Sequence, residues 1–402
     1  MEIQTKRILL ISHDLNCTGA PSSLLRHAKY FLDSGHSVDV WAAGDGALRP
    51  RFEDAGLCPR IVENNCASIC HLVEENRGKY DLVICNTIVT YRFVDAWQRE
   101  RIPVIWFIRE TCLLDRWYPF KQDFAHVFKY FYNLYCPSEY TASVIRFYNK
   151  NVRIVANSVE DNFSNYSPII GGVRFGYIGS IIKNKGVDLL VDAFVRAKYK
   201  YLNITLKIAG NTHTRLGQIL TERTKNESGI TWLGEVQNDA KKQFFESIDV
   251  LCVPSLDEPF GLTALEGAMY GKAVIMTDKV GAGFIADGNH MSVAKAGDCD
   301  TLEKVLCYFA KMDEHAMRTA QKRSRKNYLE YGCPNKEKEA VLQMLADNVD
   351  NVPPICSIDL HKYTVRKSLG TRVKLFLRRT VLNLILLSKG RGVWSKTGKV
   401  YY

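Results

Sequence analysis

The chain has 402 residues, enough for two or three domains of ordinary size. With 46% hydrophobic and 24% charged residues, 27 Gly and only 12 Pro, the composition excludes a disordered, collagen-like or low-complexity chain. Lys and Arg number 54 against 43 Asp and Glu, but the last acid is Asp359 and the 11 basic residues beyond it account for the whole excess; the body is neutral, which argues against a nucleic-acid partner.

From the amino terminus one rhythm repeats: a short β-branched run, a polar or glycine-containing turn, then a helical stretch. Arg7 to Ser12, Val38 to Ala43, Leu82 to Asn86 and Val104 to Ile108 read as buried parallel strands, with helical patterns such as Leu24, Leu25, Ala28, Phe31 and Leu32 between them. Tyr135 to Pro137 and Val152 to Ala156 continue the series. The polar stretch NSVEDNFSNYSPIIGG, residues 157–172, then reads as a linker. The rhythm restarts with Val173 to Ile178, Ile204 to Ala209, Ile230 to Leu233, Val250 to Val253, Ala273 to Met276 and Met291 to Ala294. The expected organisation is two successive α/β domains, residues 1–165 and 166–335, then a helix over 336–350 returning to the first, and a basic tail over 351–402. In such sheets ligands sit beyond the carboxyl ends of the strands, so a large ligand is expected in a cleft between the domains.

The tail, read as a helix over 364–388, sets Val365, Leu369, Val373, Phe376, Leu377, Val381, Leu384 and Ile385 along one broad side. Two readings stand: docking on an anionic membrane surface, or packing across the first domain. The apolar run Ile8 to Ile11 is too short for a signal segment, and Val381 to Leu387, interrupted by Asn383, is too short for a membrane span. Twelve scattered cysteines without a Cys-x-x-Cys pair suit a reducing compartment. The protein is expected to be cytoplasmic, and peripheral on the inner face of the membrane if the tail docks there. Cys66, Cys70 and His71 lack a second ligand pair and the nine His form no two-ligand pattern, so no metal is expected.

The most informative segment is LCVPSLDEPFGLTALEGAMYGKAVIMTD, residues 251–278. A strand runs into a loop carrying Asp257, Glu258 and Pro259, and a helix starts near Gly261. The amides of Phe260, Gly261, Leu262 and Thr263 are the unsatisfied donors of that helix start, suited to a phosphate or another oxygen-rich group, with Glu258 and Glu266 flanking them. The string resembles the E-x7-E segment of the retaining family-four glycosyltransferases, which have the GT-B fold of two Rossmann-like domains facing each other across a cleft. A second element agrees: Phe175 to Gly179 runs into Ser180-Ile181-Ile182-Lys183-Asn184-Lys185-Gly186 and a helix over Val187 to Ala197, similar to the family's Gly-Arg…Lys-Gly loop, whose two cations hold the donor diphosphate. Lys185 matches the lysine. Ser180 stands where arginine is usual, so either Lys183 substitutes or one charge is absent.

The resemblance covers about residues 6–345 and implies further roles. Gly19, in the turn Gly19-Ala20-Pro21, lies by analogy near the donor phosphates. In IWFIRETCLL, residues 105–114, Arg109 and Glu110 stand where the family often has a histidine followed by glutamate facing the sugar. An arginine is not a neutral acceptor or proton shuttle, leaving Arg109 either as a contact to an anionic sugar or acceptor phosphate, or as part of a structural ion pair. ITWLGEVQN resembles the loop that receives the nucleotide base, with Val236 at the matching place. The implied activity is retaining, metal-independent transfer of a sugar from a nucleotide-diphosphate donor to a hydroxyl of a glycan or lipid-linked glycan, with no cofactor. Glu258 and Lys185 are the expected catalytic pair, and Glu266 would hold the ribose. A sugar-nucleotide epimerase on the same fold and a non-catalytic nucleotide-sugar-binding homologue are the alternatives. Two weaker motifs are decoys: Gly281-Ala282-Gly283-Phe284-Ile285-Ala286 imitates a dinucleotide fingerprint, and Asp298-Cys299-Asp300 imitates a metal motif, where Asp300 is expected to cap a helix beginning at Thr301.

Overall fold

The computed structural model describes residues 4–166, 168, 171–286, 290–351, 393–394 and 400–401. The chain divides into two compact units: the first runs to Ala156 and resumes at Glu337, and the second takes Asn157 to Lys336. The tail helix expected over 364–388 lies outside the described residues. Among those residues no helix is long and apolar enough to cross a membrane.

The first unit alternates β1 (Arg7–Ser12), α1 (Gly19–Asp33), β2 (Ser37–Ala42), α2 (Arg49–Glu53), β3 (Arg60–Ile61), α3 (Cys66–Glu75), β4 (Leu82–Asn86), α4 (Tyr91–Arg99), β5 (Val104–Phe107), α5 (Cys112–Trp117), α6 (Gln122–Tyr130), β6 (Leu134–Cys136), α7 (Glu139–Ile145) and β7 (Val152–Ile154). Its seven strands are parallel, in the order β3-β2-β1-β4-β5-β6-β7. The central strands are buried along their whole length, which is why LVIC, ahead of Asn86, and VIWF read as unbroken apolar runs. Trp97, Trp106, Phe124 and Phe128 fill one face of the sheet, and Leu24, Phe31 and Phe52 the other.

The second unit comprises β8 (Arg174–Ile178), α8 (Val187–Lys200), β9 (Thr205–Ala209), α9 (Arg215–Arg223), β10 (Ile230–Gly234), α10 (Asn238–Glu246), β11 (Val250–Val253), α11 (Leu262–Met269), β12 (Ala273–Thr277), β13 (Val293–Ala294), α12 (Cys299–Ala310) and α13 (Glu314–Tyr331). Its parallel sheet, β10-β9-β8-β11-β12-β13, repeats the order of the first six strands of the other unit, the Rossmann order. Helix α14 (Pro334–Asn348) follows, and from Glu337 onward it belongs to the first unit, where Val341, Met344 and Leu345 join the α1 face of the core.

Two expectations are corrected. Residues 157–165 belong to the second unit rather than the first, because α13 holds them there: Arg325 forms a 2.6 Å ion pair with Asp161 and lies over the Phe163 ring at 4.5 Å. Helix α12 begins at Cys299, and its cap is Asp298, whose carboxylate accepts the amides of Asp300 and Thr301 at 3.0 Å each.

Candidate active site

Topology locates the site before any side chain does. In each sheet the strand order reverses where β1 lies beside β4 and β8 beside β11, and loops leaving the carboxyl ends of such a pair part to leave a crevice. In the second unit those loops are residues 179–186 and 254–261.

Glycine brings the two loops together. Gly186 has φ +64°, and a Cβ there would lie 2.0 Å from the Pro254 carbonyl oxygen, so only glycine permits the approach. Asn184 Nδ2 donates to the Asp257 carbonyl at 3.0 Å, and the Leu256 amide donates to the Asn184 carbonyl at 2.9 Å. On the far side the Glu258 amide donates to the Lys279 carbonyl at 2.9 Å, and the Gly281 amide to the Glu258 carbonyl at 3.0 Å. Gly261, at φ +98°, leaves no room for a Cβ beside Val280. The glycine string that imitates a dinucleotide fingerprint is thus a buttress, with its last residues in a 3-10 turn, Gly283–Ala286.

Clasped from both sides, the loop presents Glu258 Oε2 to Lys185 Nζ, and the two form a partly buried ion pair. Helix α11 starts beside it with Gly261 at its N-cap, so the leading amides of Leu262 and Thr263 lack intrahelical acceptors. Phe260 is buried and its carbonyl accepts the Ala282 amide. Lys183 is engaged elsewhere, its ammonium donating to Asp188 at 2.5 Å. Ser180 and Val236 line one cavity of about 530 Å³, together with Asn211, Thr214 and Glu235. Glu266, on the second turn of α11, accepts from Lys241 Nζ at 2.6 Å. Sequence reasoning passed over Asn184 and Lys241; each is one polar residue in a polar stretch, with no spacing to mark it.

The first unit places its candidates at its own strand reversal. Helix α1 opens at Gly19, and Asn86, at the end of β4, donates to the Ala20 carbonyl at 3.0 Å and accepts from Arg109 Nε at 3.0 Å. The Arg109 guanidinium lies 3.9 Å from the centre of the Phe107 ring. Burial lowers its proton affinity, and the carboxylate of Glu337 opposes that. Thr87, buried at φ +78°, is a strained β-branched residue held through its carbonyl by Trp106 Nε1 at 2.8 Å and Thr90 Oγ1 at 2.9 Å. The next amide, that of Ile88, donates to Glu110 Oε2 at 3.2 Å.

Helix α14 supplies the remaining charge. Glu337 is almost fully buried and accepts from Arg26 Nε at 2.9 Å and Nη2 at 3.2 Å, with His27 Nε2 and Tyr30 Oη each at 3.3 Å. Burial pushes the Glu337 carboxyl up, but His27 and Arg26 outweigh it and hold the group far below the usual carboxylate range.

Two Rossmann-like units with these strand orders are the GT-B architecture of glycosyltransferases. The solved structures most like this chain include HepE of Anabaena in complex with UDP and glucose, with TM-score 0.70 and 16% identity over 85% of this chain and 100% of that one. Sucrose-phosphate synthase of Thermosynechococcus elongatus matches with TM-score 0.68 and 15% identity, over 85% of this chain and 98% of that one. Residues 4–159 match the family described as glycosyl-transferase family 4, and residues 172–311 match glycosyl transferases group 1. The chain belongs to the family-four glycosyltransferases. Among curated relatives, an uncharacterized glycosyltransferase of Methanocaldococcus jannaschii is 29% identical over 38% of this chain and 47% of its own length. The lipopolysaccharide 1,2-N-acetylglucosaminetransferase of Salmonella typhimurium is 30% identical over 28% of this chain and 32% of its own. The chain thus spans half or less of the length of these curated relatives.

Proposed function

We propose that the protein is a retaining glycosyltransferase that moves a sugar from a nucleotide-diphosphate donor to a hydroxyl of a glycan or lipid-linked glycan in cell-surface polysaccharide synthesis. The observation that carries the reading is the Lys185–Glu258 pair beside the start of α11, at the strand reversal of the second unit. Breaking the bond between the anomeric carbon and the diphosphate oxygen leaves negative charge on the diphosphate. The Lys185 ammonium and the amides of Gly261, Leu262 and Thr263 would stabilise that charge as it develops, a role that needs no metal. Glu258, released from Lys185 when the diphosphate takes the ammonium, would fix the sugar hydroxyls, and Glu266 the ribose hydroxyls. The cavity lined by Ser180 and Val236 is the proposed seat of the base. Support comes from the relative named as a lipopolysaccharide 1,2-N-acetylglucosaminetransferase and from the HepE structures in complex with UDP and with UDP-glucose.

In the first unit Gly19 is proposed to lie near the donor phosphates and Arg109 to contact an anionic sugar or acceptor phosphate, and the basic tail over 364–388 is proposed for an anionic membrane surface on the cytoplasmic side. The test is turnover of a panel of nucleotide sugars with Glu258→Ala beside the wild-type chain. The expected outcome is release of one nucleoside diphosphate by the wild type, only when a glycan acceptor is present, and at least a hundredfold loss in the variant with the melting temperature preserved. Donor consumption without acceptor would favour an epimerase. Binding without turnover would favour a non-catalytic homologue.

A further inference from the structure

The E-x7-E segment and the Gly-Ser…Lys-Gly loop leave α10 without a role, yet α10 carries a side chain bonded to Glu266. Lys241 Nζ donates to Glu266 Oε1 at 2.6 Å, and both side chains are partly buried. Four residues further along each segment, Phe245 on α10 and Tyr270, which caps the end of α11, stack with ring centres 4.5 Å apart and planes inclined by 18°. The pairs 241–266 and 245–270 are each advanced by four residues, so the two segments run side by side in matched register, and the aromatic stack fixes the distance the lysine must span. The helix is equally tied to the cavity. Its first residue, Asn238 at φ +50°, follows directly on Glu235, Val236 and Gln237, which line the cavity wall. One rigid element therefore carries both the wall and the lysine.

We infer that Lys241 is a positioning residue of the donor site: it holds one oxygen of Glu266, so that the other is presented to the ribose diol of the nucleotide. This rests on the proposed nucleotide-sugar reading. A glutamate carboxylate at the end of several rotatable bonds points in many directions, and an ammonium bonded to Oε1 removes most of that freedom before the nucleotide arrives. Charge supports the same assignment. Ser180 brings no cation, Lys183 is taken by Asp188, and a diphosphate must bind beside two glutamates. With Lys185 on Glu258 and Lys241 on Glu266, each acid is balanced by its own lysine, so the free site does not repel an anion.

The test is isothermal titration of the full-length protein with UDP, GDP, ADP and CDP and with the 2′-deoxy form of whichever binds. For wild type the expected result is about tenfold weaker binding of the 2′-deoxy form. In Lys241→Met that ratio should fall to near one, chiefly through weaker binding of the ribonucleotide. Lys241→Arg should restore it, and Lys242→Met, on the exposed side of the same helix, should leave it unchanged. A Lys241→Met protein that weakens both nucleotides equally, or that keeps the wild-type ratio, overturns the inference. If wild type binds a nucleotide without distinguishing the 2′-deoxy form, the ribose role of Glu266 fails. If wild type binds none of the four, the nucleotide reading beneath it fails.

Discussion

Glu110 shows how much one side chain owes to its surroundings. Its Oε2 accepts the amides of Ile88 at 3.2 Å and Arg109 at 2.9 Å, both of which favour the charged form, yet burial prevails and pushes its carboxyl up to about 7. In the unfolded chain the same group titrates near 4.5. Between those two values the folded state binds the extra proton, so stability falls as pH rises through the window from 4.5 to about 7. Glu110→Gln keeps an acceptor for the two amides and removes the titration. Urea denaturation should show the variant within error of wild type at pH 4.5 and more stable at pH 8. The gain should be about 1–2 kcal/mol, less than the whole shift because the side chain is partly exposed. A difference of equal size at both pH values would contradict this. None of it was legible in the sequence, where Arg109 and Glu110 are neighbouring letters. The inputs are Thr87, turned to φ +78° so that the next amide meets the carboxylate, and the burial around them.

Among elements, legibility follows length and burial. Strands such as Leu82–Asn86 and Val250–Val253 were readable because a strand covered on both faces is a near-continuous apolar run. β3 was missed because two exposed residues carry no period. The domain boundary was misplaced because Asp161 and Phe163 look like linker chemistry, and their partner Arg325 stands on a helix far along the chain. The loops of the site were readable as motifs, but the reason for each glycine was not. Gly186 supplies a test, since it combines a left-handed φ with a 2.0 Å approach of its would-be Cβ to the Pro254 carbonyl, whereas Gly56 has φ +76° and open space. Gly56→Ala should cost about 1 kcal/mol from backbone strain alone. Gly186→Ala should cost roughly 1–2 kcal/mol more and separate Lys185 from Glu258, since the loop must withdraw from Pro254. Melting temperatures of the two variants, with nucleoside diphosphate titration of Gly186→Ala, check both parts. Equal destabilisation with unimpaired binding would mean that the approach does not matter.

For the whole molecule, the decisive fact is that the chain leaves the first unit at Ala156 and comes back at Glu337. The return is made by a helix whose apolar residues are few and whose first residue in the unit is a buried acid. Val341, Met344 and Leu345 give α14 a place on the α1 face of the core, but hydrophobic contact is non-directional and does not select one register along α1. Arg26, His27 and Tyr30 do select one, since all three converge on the Glu337 carboxylate from within about one turn of α1. Because that carboxyl is held far below its ordinary value, the stabilisation it contributes is present at neutral pH and is lost only as pH falls through the depressed value. Burial lowers the proton affinity of the His27 imidazole and Glu337 opposes that, while Arg26 pairs with the same carboxylate. Glu337→Gln leaves the geometry but removes the charge, and should destabilise the first unit by on the order of 2 kcal/mol, the penalty of stripping the partly buried Arg26 of its partner. Hydrogen exchange at pH 7 is the measurement: amides of α1 and α14 should lose protection in the variant while those of β8 to β12 keep theirs. Uniform loss across both units would show that the returning helix stabilises more than the unit it re-enters. No change in α14 would show that its apolar face suffices and that the buried acid has another purpose.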